Sequence, residues 1–209
     1  MRIAKDGLSI ISFIFVLGLA FLAISFTNSL FLILSVLMFV FLAFTIFFFR
    51  DPEREIGKNI VSPADGKVIK IEKIKDSDVG DSIKVSIFMS ILDVHVNRMP
   101  IDGKILKIEK VEGNFFPAYS EESEKNEKNI ILAETKIGKI KIIQIAGIFA
   151  RRIVCYAKEG KNIAKGERIG MIKFGSRVDL ILPKDKVRLR IRVNDKLRAG
   201  VDEIAEIND

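Results

Sequence analysis

The sequence predicts a mainly β protein: a compact, internally pseudo-symmetric sandwich or barrel-like domain over residues 50–209, preceded by a membrane helical hairpin over residues 1–49. Three observations lead there. The N-terminal quarter is a long run without charge, a thirteen-residue segment occurs twice, and the remainder alternates apolar and charged residues in short runs with no long helical period.

From Gly7 to Phe49 no residue is charged, 43 positions in a row, and eleven of the sixteen phenylalanines lie there. A helix rises 1.5 Å per residue, so about 20 apolar residues cross the roughly 30 Å hydrocarbon layer and this run is long enough for two crossings. Thr27-Asn28-Ser29 is the natural break, giving spans at about 8–26 and 30–49 whose backbone groups are satisfied within each helix. Arg2 and Lys5 precede the run, and Arg50, Arg54 and Lys58 follow it, a cation bias that puts both ends on the cytoplasmic side of the cell membrane. A signal peptide followed by a buried helix is the competing reading. The run is too long for it, and no small-residue cleavage pattern separates the halves.

Residues 50–209 number 160 and carry +6 of the +7 net charge, enough chain for one compact core. A mild positive charge beside a membrane anchor points to anionic headgroups, and the absence of basic–aromatic interleaving argues against nucleic acid. The one cysteine, Cys155, can form no disulfide within the chain and reads as a structural thiol.

Pro63-Ala-Asp-Gly-Lys-Val-Ile-Lys-Ile-Glu-Lys-Ile-Lys75 recurs 37 residues later as Pro100-Ile-Asp-Gly-Lys-Ile-Leu-Lys-Ile-Glu-Lys-Val-Glu112. In each copy an Asp-Gly turn opens an alternating, half-buried strand. Ser82–Ser90, Ile130–Ala133, Lys139–Ala146, Arg152–Ala157, Arg168–Lys173 and Lys186–Val193 are further strands by the same criterion. The last alternates strictly, setting Lys186, Arg188, Arg190 and Arg192 on one face, either toward anionic headgroups or as a solvated face paired with an acidic loop. Ser120–Asn129, polar throughout, reads as a mobile surface loop.

The chemistry reads from three places. Gly175 precedes Ser176, and glycine there allows a strained backbone and leaves its carbonyl open to attack from the side. If Ser176 Oγ attacks that carbonyl, the peptide becomes an ester with no external substrate. A serine hydroxyl needs a base within hydrogen-bond reach, and that base needs a third group to fix its tautomer. His95 is the chain's one imidazole. Asp65 is the acid placed behind it, with Asp93 as runner-up. On spacing alone, an ordinary turn aspartate, a structural histidine and a chance Gly-Ser pair are the commoner reading.

Seven segments in order add a resemblance: Phe47-Phe-Phe-Arg-Asp-Pro-Glu-Arg54, Ser62-Pro-Ala-Asp-Gly66, Asp93-Val-His-Val-Asn-Arg98, Gly113-Asn-Phe115, Asn126-Glu-Lys-Asn129, Gln144-Ile-Ala-Gly147 with Ala150-Arg-Arg152, and Gly170-Met-Ile-Lys-Phe-Gly-Ser-Arg-Val-Asp179. Together they cover essentially the whole chain, which resembles the short, membrane-associated form of the phosphatidylserine decarboxylase family. Lys128 and Lys173 stand where the pattern has arginine, charge-preserving departures.

The resemblance implies a proenzyme that cuts itself between Gly175 and Ser176, leaving a large chain 1–175 and a small chain 176–209 as a heterodimer, with further oligomerisation left open. Ser176 would become a pyruvoyl group, the cofactor, which forms a Schiff base with the substrate amine and takes up the electrons left when CO2 departs. No metal is implied. His95 could then also protonate the carbanion equivalent. The substrate would be a phospholipid with a serine headgroup, either phosphatidylserine or its ether counterpart archaetidylserine. A composition rich in Lys, Glu and Ile with a single glutamine leans toward the ether lipid. Asn97, Arg98, Arg151 and Arg152 are candidates to hold the headgroup. Two other functions compete: a membrane-tethered barrel-sandwich carrier, and a membrane serine hydrolase using the same three residues. Both would keep the chain whole.

Overall fold

The computed structural model describes residues 2–148, 152–173 and 175–208. The chain divides into two compact units, one ending at Glu53 and one starting at Arg54.

The first unit holds β1 (Arg2–Ile3), α1 (Lys5–Ile24), α2 (Leu30–Phe48) and β2 (Arg50–Asp51). The helices meet the predicted spans to within a few residues, and the break falls at Thr27-Asn28-Ser29, where Asn28 Oδ1 accepts the Leu30 N–H at 2.9 Å. β1 pairs antiparallel with β2, so both ends of the hairpin lie at one end of the unit. The helices touch through small residues. Gly7 has no room for a Cβ beside Phe49, and Ser35 Oγ donates to the Gly18 carbonyl at 3.0 Å. Their outer faces leave Phe13, Val16, Val40 and Ile33 exposed, a surface that suits lipid rather than water. Both helices are long and apolar enough to cross a membrane.

The second unit carries β3 (Ile60–Val61), β4 (Gly66–Asp76), β5 (Gly80–Met89), β6 (Val96–Arg98), β7 (Gly103–Val111), β8 (Lys128–Thr135), β9 (Gly138–Ile145), β10 (Ile153–Cys155), β11 (Asn162–Ile163), β12 (Arg168–Ile172), β13 (Ser176–Pro183), β14 (Val187–Leu189), β15 (Lys196–Leu197) and β16 (Glu203–Ile207). One curled antiparallel sheet runs β11-β7-β8-β9-β13-β5-β4-β15, and two small sheets run β10-β12-β6 and β14-β16-β3. Their inward faces meet in a core of Ile, Val, Leu and Met that includes Ile87, Met99, Ile131, Ile142, Val178 and Leu180.

The repeat seen in the sequence is the symmetry of this domain. β7 and β4 lie second from opposite edges of the large sheet. Each has a bulge at the equivalent place, between Val68 and Lys70 and between Ile105 and Lys107. Each is flanked by equivalent bonds: Val68 N–H to Asp195 O and Ile105 N–H to Lys161 O, both 2.9 Å. The two small sheets correspond likewise, strand for strand.

Two expectations are corrected. Ser120–Asn129 is not a structureless loop: Glu121–Lys125 form a 3-10 turn, Ser123 and Asn126 are fully buried, and the strand resumes at Lys128. Asn126 is the reason, since its amide bonds both main-chain groups of Phe116 and the Ala146 carbonyl. The basic strand at 186–193 is regular only over Val187–Leu189, and Glu206 pairs with both Arg188 and Arg190. The partner of that face is thus β16 rather than the acidic loop.

Candidate active site

Ser176 opens β13 and stands opposite Met89, the last residue of β5. Its side chain is wholly buried, and its Oγ lies 3.6 Å from Met89 Sδ. A thioether sulfur is a weak acceptor, so the hydroxyl proton is lightly held. Asn97 Nδ2 approaches the same sulfur at 3.6 Å, Gln144 Nε2 donates to Asn97 Oδ1 at 2.8 Å, and Asn129 Nδ2 donates to Gln144 Oε1 at 2.9 Å. These bonds link Asn129, Gln144 and Asn97 into one buried polar file that ends at the Met89 sulfur. Gly170 makes space for it, since a Cβ there would fall 2.7 Å from Gln144 Nε2.

Gly175 has φ +58°, in the left-handed region that glycine adopts without strain. Its carbonyl packs against Gly147, where a Cβ would fall 2.1 Å from the Gly175 oxygen.

His95, completely buried, enters β6 beside β12, and its carbonyl accepts the Ile172 N–H at 3.3 Å. Three residues separate Ile172 from Ser176 in the sequence, so the His95 main chain and Ser176 belong to one end of the domain. His95 Nδ1 lies 3.0 Å from the main-chain oxygen of Asp93. A carbonyl can only accept, so Nδ1 carries the hydrogen and a neutral ring keeps Nε2 as its basic nitrogen.

Asp65 is held differently from the sequence expectation. Arg54 grips both carboxylate oxygens, the Nη2–Oδ2 bond being 2.8 Å, and the Ala199 N–H donates to Oδ1 at 2.8 Å. None of these bonds joins Asp65 to His95. Asp93 reaches the imidazole with its carbonyl, while its carboxylate accepts the Ser90 N–H and hydroxyl, each at 2.7 Å. Asp65, Asp93 and Ser90 line one cavity of about 510 Å³ together with Lys67, Lys196 and Arg198.

The proposed headgroup residues separate. Arg98 is buried, with Nη1 donating to the Gly166 carbonyl at 2.9 Å, and Asn97 belongs to the polar file. Arg152 is exposed, and its carbonyl accepts the Lys173 N–H at 3.4 Å. Arg151 lies outside the described residues, as does Phe174 of the cleavage segment. Sequence reasoning missed the cavity cations Lys67, Lys196 and Arg198, and it missed Arg54 as the partner of Asp65. Among the described residues no cluster of His, Cys, Asp and Glu suits a metal ion.

Beside Ser176 on β13, Arg177 and the buried Asp179 form an ion pair at 2.9 Å. Burial pushes the Asp179 carboxyl above its ordinary value, against the pull of Arg177.

A serine behind a left-handed glycine thus opens β13 at this end of the domain, and the main chain of a buried histidine is reached from it through β12. The family model described as phosphatidylserine decarboxylase matches residues 41–205, and the chain belongs to that family. A phosphatidylserine decarboxylase proenzyme of Desulfotalea psychrophila is 45% identical over 183 residues, covering 83% of this chain and 85% of that one. One from Syntrophus aciditrophicus is 45% identical over 206 residues, covering 95% and 94%. A Methanothermobacter thermautotrophicus protein, provisionally described as an archaetidylserine decarboxylase proenzyme, is 40% identical over 192 residues, covering 84% and 86%. The chain is accordingly an enzyme, a carbon–carbon lyase made as a proenzyme.

Proposed function

We propose that this chain cuts itself between Gly175 and Ser176 and then decarboxylates the serine headgroup of a membrane phospholipid, phosphatidylserine or archaetidylserine. The observation that carries the reading is the junction itself: a left-handed Gly175 followed at once by a fully buried serine.

Ser176 Oγ adds to the Gly175 carbonyl carbon as its proton passes to a base. The C–N bond then breaks, the nitrogen of residue 176 takes up the proton, and the amide has become an ester. Loss of the α-proton of residue 176 expels the Gly175 carboxylate, and the resulting dehydroalanine takes up water and releases ammonia. A large chain 1–175 and a small chain 176–209 result, the latter headed by a pyruvoyl group. His95 serves as the base through Nε2, its tautomer set by the Asp93 carbonyl. Asp65 contributes charge and shape to the cavity wall through Arg54 and Ala199.

Once formed, the pyruvoyl carbonyl supplies the electron sink that loss of CO2 requires. The polar file behind Met89 holds the β5 end of the site in place. Lys67, Lys196 and Arg198 suit the headgroup phosphate better than Arg98, whose guanidinium is built into the interior. Residues 1–49 anchor the enzyme in the cell membrane, with the catalytic domain on the cytoplasmic side that the flanking cations favour.

Intact-mass analysis of the purified protein tests this. Two chains are expected, the small one blocked by pyruvate in place of Ser176, and Ser176→Ala should leave one uncut, inactive chain. An active, uncut chain with an ordinary serine at 176 overturns the reading. Parallel assays with ester and ether lipids identify the substrate.

A further inference from the structure

The carbonyl that is attacked in this reading rests on a residue with no part in the scheme so far. Gly147 follows β9 and is sandwiched between the Gly175 carbonyl and Ala118. A Cβ at Gly147 would lie 2.1 Å from the Gly175 oxygen and 3.1 Å from its carbon, against 3.4 Å from Ala118 Cβ. Gly147 is not among the glycines with positive φ, so space, and not backbone conformation, demands glycine here. Gly175 shows the reverse: its φ is +58°, but a Cβ would meet nothing within 4 Å. The two glycines divide the work, one bending the chain and the other admitting the bent carbonyl.

What lies beneath Gly147 is firmly held. Ala146 donates its N–H to Glu127 O at 3.0 Å, and its carbonyl accepts Asn126 Nδ2 at 2.7 Å. The fully buried Asn126 also binds the Phe116 N–H and carbonyl at 2.7 and 2.8 Å, two residues before Ala118. The Asn126 amide thereby pins Ala146, next to Gly147, and Phe116, two residues from Ala118, so the surface against which the Gly175 carbonyl rests is fixed.

We propose that Gly147 is a positioning residue for self-cleavage: a shelf, fixed through Asn126, that presents the Gly175 carbonyl to the Ser176 hydroxyl. The proposal rests on the self-cleavage reading above. A methyl group at position 147 must displace the Gly175 carbonyl, and a displacement of about 1 Å at a reacting atom costs about 100-fold in rate.

The test follows cleavage of newly translated full-length protein by mass, wild type against Gly147→Ala. A cleavage half-time about 100-fold longer is expected, with an unchanged melting temperature and unchanged decarboxylation per mole of pyruvoyl group in whatever fraction matures. Ala118→Gly added to Gly147→Ala should not restore the rate, because the clash is with the Gly175 oxygen. Cleavage of Gly147→Ala at the wild-type rate overturns the proposal, and so does rescue by Ala118→Gly. Equal losses in melting temperature and in activity per pyruvoyl group would make Gly147 a packing residue only and overturn it as well. A wild-type chain that stays whole overturns the self-cleavage reading, and this inference falls with it.

Discussion

Where Thr135 faces Gly138, Lys136 and Ile137 close β8 onto β9 in a tight turn; at the equivalent place in the other half, Met89 faces Ser176 and no turn joins them. The chain instead leaves Met89 for His95 and β6, and comes back from β12 through Gly175. The candidate site is thus a hairpin left open in one of two matching halves. The same contrast appears one layer away. β3 presents buried Ile60 and Val61, whereas β6 presents buried Asn97 and Arg98. Shared scaffold and unshared polar residues separate what folds the domain from what does chemistry in it.

The sharpest break in the comparison should come from His95 and its counterpart in the repeat, Lys58. His95→Ala removes the proposed base and should slow self-cleavage by about 10²–10⁴-fold, the usual contribution of a general base. Lys58→Ala should leave the cleavage half-time within a factor of about two, since surface changes are close to neutral. Mass analysis of newly made protein gives both numbers, and equal rates for wild type and His95→Ala would remove His95 from the processing step.

A smaller difference is expected between Asp65 and Asp102, the paired aspartates of the repeat. Both accept an N–H at 2.8 Å from the residue preceding a left-handed glycine, Ala199 before Gly200 and Lys165 before Gly166. Only Asp65 also binds Arg54, with both side chains about nine-tenths buried. Asp65→Ala strands the guanidinium and should cost about 3–5 kcal/mol. Asp102→Ala loses one hydrogen bond, about 1 kcal/mol. Denaturant unfolding measures the two. Equal costs would mean that the Arg54 pair adds nothing and that Asp65 is simply a turn aspartate.

The contrast also marks what could be read from the sequence. The first repeat was visible because Asp-Gly and six alternating residues recur almost unchanged. The second, Gly160–Gly166 against Asn194–Gly200, was not, because the copies share little beyond a final glycine and an apolar residue three positions before it, although their backbones match bond for bond. Ser176, Gly175 and His95 announced themselves by chemistry and by resemblance. The partners of Asp65 lie 11 and 134 positions away, and Gly147 meets Gly175 through empty space, so no local pattern in one chain records either. The acidic stretch misled because composition counts charge and cannot see that Asn126 is buried.

The finest comparison concerns charge. Lys141 on β9 and Asp179 on β13 occupy corresponding, buried places in the two halves and carry opposite signs. Burial works against the Lys141 ammonium, but its bonds to Asp76 and Asp78 outweigh burial and hold its pKa above 10.5. Asp76 is likewise lifted by burial but drawn below 3.8 overall by Lys141 and by the N–H groups of Asp78 and Val79. A depressed carboxylate contributes stability above its unfolded value and loses it as pH falls through its folded one. Lys141→Met should therefore cost about 1 kcal/mol at pH 7, and that cost should fade as the pH drops below 3.8. Asp179 has the opposite sign. Its folded pKa is raised by burial, so the wild type loses stability as pH climbs from 3.8 toward that higher value. Compared with wild type, Lys141→Met should grow relatively less stable as pH rises toward 3.8, and Asp179→Asn relatively more stable as pH rises beyond 3.8. Thermal unfolding of the three proteins from pH 3 to pH 7 reads both slopes. Parallel slopes would show that the two buried charges share one environment, in spite of their different partners.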